Sequence, residues 1–238
     1  GQTIMTHPEY KLDHRLLLDK IDFENGTVNC YGETYPIKDV NLPTIDPKDP
    51  YRLTPEEEQV MVALEASIVN SAKLQEHINF LYSHGSLFTT CNGNLLFHGC
   101  IPFTEDGDFM EVTIGGKTNH GAALMKQLDR SLREAYFNPG EGVDKADAAN
   151  IMWYLWLGPD SPLFGKDKMT TFERLFIEDK ATHKEHTVPY YKLINDKDIC
   201  IKIIRDFDLE PTKGIILNGH VPVKIKDGES PIKGEGKL

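Results

Sequence analysis

Hydrophobic and polar positions alternate along this chain in two distinct ways. Between residues 54 and 82 the apolar positions Met61, Leu64, Ile68, Leu74, Ile78 and Leu81 recur at helical spacing, which predicts one long helix with a core-facing stripe. Thr54-Pro55-Glu56-Glu57 opens it: a threonine N-cap, proline at the first helical position and glutamate closing a capping box. His84-Gly85 ends it. Further helices are predicted over about 10–21, 121–137 and 144–157 and, after Asp196 as N-cap, to about 206. Thr170-Thr171-Phe172-Glu173 reads as a second capping box, for a helix to about 177.

The second pattern is the short apolar run bounded by turn residues, which reads as a buried strand. Residues 86–91 and 94–98 flank Asn92-Gly93, a dipeptide suited to a two-residue hairpin turn. Residues 214–218 form another such run. Residues 24–35 predict a small hairpin with turns at Asn25-Gly26 and Gly32, and 221–226 with 232–238 predict a last hairpin around Asp227-Gly228. The order of elements is mixed, with no internal repeat, and predicts an α/β class.

Two histidines close apolar runs just before a turn: His98 in Leu95-Leu96-Phe97-His98-Gly99, and His220 in Leu217-Asn218-Gly219-His220. A histidine at a strand end leaves the core in a fixed direction, and the neighbouring glycine offers room for a ligand to approach. Two such histidines from distant parts of the chain suit a shared metal.

Charge changes the picture next. With 26 basic against 37 acidic residues the formal net charge is −11, which argues against nucleic acid or an anionic membrane as partner. An anionic substrate then needs local positive charge. No apolar stretch approaches eighteen residues and the first residues lack a signal-peptide pattern, so the expected location is cytoplasmic. Four unevenly spaced cysteines, 30, 91, 100 and 200, fit a reduced compartment. Cys91, His98 and Cys100 match no standard zinc spacing.

Three motifs imitate chemistry without its pattern. Gly115-Gly116-Lys117-Thr118 lacks the upstream glycine of a P-loop and reads as a turn before a helix. Asn119 reads as a helix N-cap. His183 and His186 lie in a polar loop among Lys180, Lys184 and Glu185.

Leu96-Phe97-His98-Gly99-Cys100-Ile101-Pro102 and Asn218-Gly219-His220-Val221-Pro222 resemble the late histidine segments of calcineurin-like metallophosphatases. Together with Pro43-Thr44-Ile45-Asp46-Pro47, Trp153-Tyr154-Leu155-Trp156, Ser161-Pro162-Leu163-Phe164-Gly165-Lys166 and Thr170-Thr171-Phe172-Glu173-Arg174, they resemble class III fructose-1,6-bisphosphatases of Firmicutes over essentially the whole chain. The resemblance implies a calcineurin-like layered sandwich, a mixed β-sheet with flanking helices. It implies a hydrolase of sugar bisphosphate in gluconeogenesis, using two divalent ions, commonly manganese (Mn2+), to activate a hydroxide. His98 and His220 match two metal ligands. Lys166, Arg174, Lys180 and Lys184 are the candidate substrate-binding cations.

The family's Asp-x-His, Gly-Asp-x-x-Asp-Arg and Gly-Asn-His-Glu segments have no match here. The chain therefore resembles an interior fragment: residues 1–53 an irregular excursion, 54–238 the later part of a metallophosphatase domain. Alone it is expected to be inactive, since two neutral histidines hold a hard divalent ion weakly. Another calcineurin-like phosphatase, or a non-catalytic module that kept the fold, are the alternatives. Intact histidine contexts favour truncation over decay. Sheet edges left unpaired by missing segments make a homo-oligomer possible.

Overall fold

The computed structural model describes residues 2–38, 41–137 and 143–238. The chain begins with a short helix, α1 (Gln2–Met5), three single 3-10 turns and a three-stranded meander of β1 (Ile21–Asp22), β2 (Thr27–Cys30) and β3 (Glu33–Pro36). Then come α2 (Pro55–Val69), α3 (Ala72–His84), β4 (Phe88–Cys91), β5 (Asn94–Phe97), β6 (Val112–Ile114), β7 (Lys117–Asn119), α4 (Gly121–Phe137) and α5 (Val143–Leu157). Next are α6 (Thr171–Phe176), α7 (Tyr190–Leu193), α8 (Lys197–Asp206) and β8 (Ile216–Asn218), followed by two 3-10 turns. This is a mixed α/β chain. It forms two compact units, one of residues 1–85 with 169–185 and one of 86–168 with 186–238.

In the first unit the meander is antiparallel in the order β1-β2-β3, with Val28 opposite both Ile21 and Tyr35. Its inward side chains, Val28 and Cys30, pack with Leu17 and Ile177 into a small core. Residues 169–185 are tied to it by the Ile37–Ile177 bridge and by the Lys38 N–H donating to the Phe176 carbonyl at 2.8 Å. The strongest tie is ionic. Glu173 is fully buried, and Arg15 donates to both its carboxylate oxygens, at 2.6 and 3.1 Å. The same guanidinium donates to the Met169 carbonyl, and the Tyr31 hydroxyl donates to Glu173. A bidentate arginine with an added hydroxyl donor satisfies a carboxylate that burial would otherwise penalise.

Four elements of this unit differ from the sequence expectation. Residues 10–21 form 3-10 turns, not an α-helix. The second capping box is not made: Thr170 makes no side-chain cap. Its hydroxyl donates instead to Glu185 and the His183 carbonyl, and Glu173 is taken by Arg15. The long helix is two helices, because Asn70 ends α2 and Ser71 N-caps α3 by accepting from the Leu74 N–H. The expected core stripe is not in a core: no residue of α2 or α3 is buried. The first capping box is present as predicted. The Glu57 N–H donates to Thr54 Oγ1 at 3.2 Å and the Thr54 N–H donates to Glu57 Oε2 at 2.8 Å. Replacing Thr54 by alanine should cost about 1 kcal/mol of helix stability, read as a loss of helical circular dichroism.

The second unit is built on the sheet β4-β5-β8. β4 and β5 are antiparallel, turned through Asn92 (φ 52°) and Gly93 (φ 79°) as the Asn-Gly signal requires. β8 lies parallel to β5, with Leu95 opposite Ile216 and Phe97 opposite Asn218. Leu95 and Phe97 point inward and are buried, as is Ile216. α4 supplies Leu124, Met125 and Leu128, and α8 supplies Cys200, Ile203 and Ile204, each set at helical spacing and buried. Asp196 caps α8 as expected. The Gly115-Gly116 turn precedes a strand, not a helix: it joins β6 to β7 in a hairpin. Asn119 ends β7 and its amide donates to Gln127, while Asp206 accepts the Ala122 N–H at 2.6 Å and so caps α4 in its place. Residues 221–238 hold two 3-10 turns where a strand hairpin was expected. The Lys237 ammonium donates to the Pro211 carbonyl, and the Lys237 carbonyl accepts from Ile216 at 2.7 Å, so this tail lies along β8.

Candidate metal centre

Parallel pairing of β5 and β8 carries the chain out of both strands at the same end of the sheet. His98 follows Phe97, and His220 lies two residues beyond Asn218, so both imidazoles emerge together. His98 Nε2 and His220 Nδ1 are 2.9 Å apart, with the rings near perpendicular at 87°. The separation is that of a hydrogen bond, in which one imidazole N–H donates to the bare nitrogen of the other. The pair is the one place among the predicted site residues where two metal-binding side chains meet, and these are the residues that would hold a divalent ion.

Asn218, which sequence reasoning did not single out, sets this geometry. Its amide donates to the His98 carbonyl at 2.8 Å and to the Gly99 carbonyl, and the Gly219 N–H also donates to the His98 carbonyl. The Asn-Gly-His run was a turn signal in the sequence. Its use as a stitch between strand ends depends on β8 lying beside β5, which sequence spacing does not reveal. Replacing Asn218 by alanine removes both side-chain bonds, leaving the His98 carbonyl with the Gly219 N–H and taking the Asn218 donor from the Gly99 carbonyl. About 1–3 kcal/mol of local stability should be lost, read as faster amide exchange at Gly99 and Gly219 with the rest of the sheet unchanged.

Gly99 serves a different end from the one expected. A Cβ there would stand 2.0 Å from the Pro162 carbonyl oxygen, which accepts from the Cys100 N–H at 2.7 Å. Glycine admits a neighbouring backbone segment, residues 161–165, and that segment becomes the wall of the site. Gly219 has open space around it, so there the room for an approaching ligand exists.

The wall matters for charge. Burial lowers the His220 pKa, the neighbouring His98 and the Lys166 charge lower it further, and a hydrogen bond with the Phe164 backbone opposes them. The net effect favours neutral imidazole, the form that binds a metal. Tyr191 stacks against His220, ring centroids 6.4 Å apart and 24° between planes, and its buried hydroxyl has no hydrogen-bond partner. Lys166 is half-buried and its backbone bridges Thr187.

The other candidate cations fall in the first unit. Arg174 is exposed yet held: Nε donates to Thr170 Oγ1 at 3.0 Å and one terminal nitrogen donates to the His183 carbonyl at 2.9 Å. Lys180 and Lys184 are exposed. Of the loop histidines, His183 contacts the Ile177 carbonyl and His186 contacts Asp167. Cys100 is buried, and burial pushes its thiol up to about 12, so it does not act as a thiolate beside His98. Among the described residues no group of three or more His, Cys, Asp or Glu side chains converges to hold a metal. Among the described residues no carboxylate joins His98 and His220 in such a group.

A mixed α/β scaffold that brings two histidines to adjacent ends of parallel strands is a site-bearing fold, with its candidate chemistry at strand ends and loops. The family is defined by sequence: residues 1–238 match the family model described as Firmicute fructose-1,6-bisphosphatase, and the chain belongs to that family. It is 52% identical over 238 residues to the "Fructose-1,6-bisphosphatase class 3" of Clostridium tetani and 51% identical over 238 residues to that of Clostridium acetobutylicum. It is also 51% identical over 240 residues to that of Alkaliphilus metalliredigens. Each alignment covers 100% of this chain but 36% of the relative. The chain thus spans about a third of the length of the curated relatives it matches. No solved structure matches it. No helix of the described residues is long and apolar enough to cross a membrane.

Proposed function

We propose that this chain is a working segment of a longer fructose-1,6-bisphosphatase, a metal-dependent phosphoric monoester hydrolase that converts fructose 1,6-bisphosphate to fructose 6-phosphate and phosphate. The meeting of His98 and His220 at the ends of β5 and β8 is the observation that carries this reading. The layered calcineurin-like sandwich of the whole protein and a manganese pair belong to the same proposal. When bound, divalent ions would supply Lewis-acid activation of water and neutralise charge on the phosphate. His98 and His220 would hold one such ion through neutral imidazole nitrogens, leaving its positive charge available to the substrate. Asn218 holds the backbone at His98 and Gly99, and Tyr191 lies stacked beside His220.

Lys166, Arg174, Lys180 and Lys184 are proposed as substrate contacts, since a chain of net charge −11 must concentrate its cations to receive a bisphosphate. They are offered for the substrate's other phosphate, and Lys166 is the one that shares a unit with His98 and His220. In a full-length family protein carrying this segment, Lys166→Ala should lower kcat/KM for the bisphosphate about 10- to 100-fold, the effect of losing a charge-assisted hydrogen bond of about 1.5–3 kcal/mol. An unchanged kcat/KM would remove Lys166 from the site.

A further inference from the structure

We propose that the α2–α3 helical hairpin is an interior element of the full-length protein, covered by the part of that polypeptide lying outside these 238 residues. The inference rests on membership of a longer chain, as the proposed function does, but not on the metal centre.

The observation is the distribution of apolar surface on α2. Val60, Met61, Val62, Leu64, Ile68 and Val69 are each between 51% and 65% exposed. Val60, Met61 and Val62 are consecutive, so at about 100° per residue they point to three different sides of the helix. Ile68 and Val69 repeat this about two turns later. A helix with apolar residues on every side, broken beyond its first turn only by Gln59, Glu65 and Ser67, belongs in the interior of a larger body. α3 adds Phe80 and Leu81, 65% and 62% exposed, and neither helix has a single buried residue. Fifteen- and thirteen-residue helices in water are marginal without tertiary burial. The sequence nevertheless invests in fixing α2, with a complete capping box and proline at its first turn. Three of its four charged residues, Glu56, Glu57 and Glu58, are gathered at that first turn, and Glu65 alone carries charge beyond it.

Cover from several sides decides the occupant. A second copy meeting the hairpin across one flat interface would shield one side of α2 and leave the others wet. Surrounding it takes several elements. The relatives have the length for it: the matched segment is 36% of them, so roughly two thirds of such a polypeptide lies outside it.

Hydrogen–deuterium exchange tests this, on this chain and on the full-length Clostridium tetani relative in the region aligned with residues 55–84. The expected result is fast exchange in the 238-residue chain at every concentration and protection at least 100-fold greater in the full-length protein. Equal exchange in both would overturn the proposal. So would protection in the short chain that rises with its concentration, which would make a second copy the occupant, or protection that persists on dilution, which would mean the chain's own units cover the hairpin. A Val62→Asp variant gives an independent reading: expected to leave the unfolding midpoint of the short chain unchanged, and to lower that of a full-length protein carrying this segment. Equal effects in the two would contradict the proposal. Phosphate release plays no part in either measurement, so loss of the catalytic reading would leave this result standing, and the reverse.

Discussion

Replacing Arg15 by alanine should destabilise the first unit by about 3–5 kcal/mol, the cost of leaving a buried carboxylate without its cation. Glu173 is completely buried, and Arg15 is its only ionic partner among the described residues. Most small domains hold about 5–15 kcal/mol in total, so this substitution should unfold the meander or bring it close to unfolding. Urea denaturation followed by circular dichroism measures it, and a loss below about 1 kcal/mol would show that the pair adds little. The double change Arg15→Met with Glu173→Leu should recover most of the loss, because an apolar pair of similar volume avoids desolvating either charge.

The pH dependence follows with a definite sign. Burial pushes the Glu173 pKa up, but hydrogen bonds from Arg15 and Tyr31 outweigh it and the net direction is down. A carboxylate with a lowered folded pKa contributes its stability above the unfolded value, ordinarily near 4.5. That contribution drains away as pH falls from there through the folded pKa. Acid unfolding of the first unit should therefore begin below about pH 4.5, and Glu173→Gln should flatten that slope.

The second large effect concerns the histidine pair. In a full-length family protein carrying this segment, His98→Ala or His220→Ala should lower metal-dependent phosphate release at least 100-fold, beyond the 10–100-fold seen when only an outer partner of a metal ligand is lost. The double variant should be little worse than either single one, since one ion needs both nitrogens. Because the two groups are exposed or half-buried, thermal unfolding of the variants should stay close to that of the parent. Independent, multiplicative losses would show that the two imidazoles do not serve one ion.

The second unit was more legible in the sequence than the first, for physical reasons. Asn92-Gly93 needs positive φ at both positions, which few other dipeptides accept, so the hairpin was fixed locally. Asp196 and Thr54 cap their helices with short side chains whose partners lie two or three residues away. Helices α4 and α8 form over the spans the sequence predicts. What failed depended on distant partners. Glu173 sits at capping-box spacing from Thr170, but Arg15, 158 residues away, binds it more strongly than a backbone N–H would. Asp206 displaced Asn119 as the cap of α4 for the same reason. The stripe on α2 and α3 is apolar as read, but periodicity identifies an apolar face without identifying what covers it.

Of the candidate site, the histidines were legible because strand-ending positions have a fixed exit direction. Their 2.9 Å approach needed the parallel pairing of β5 with β8, which no local pattern encodes. The role of Asn218 was hidden by the same gap. The cations Lys166, Arg174, Lys180 and Lys184 cluster in sequence, yet the chain divides at residue 169 and distributes them over two units.

The central claim is that this chain holds part of a metal centre and that the rest lies elsewhere in a longer polypeptide. Phosphate release from fructose 1,6-bisphosphate with added Mn2+ tests it directly, measured side by side for this chain and the full-length Clostridium tetani relative. The account predicts release by the relative and none above the metal-only blank by this chain. Release by this chain at a rate near that of the relative would contradict it.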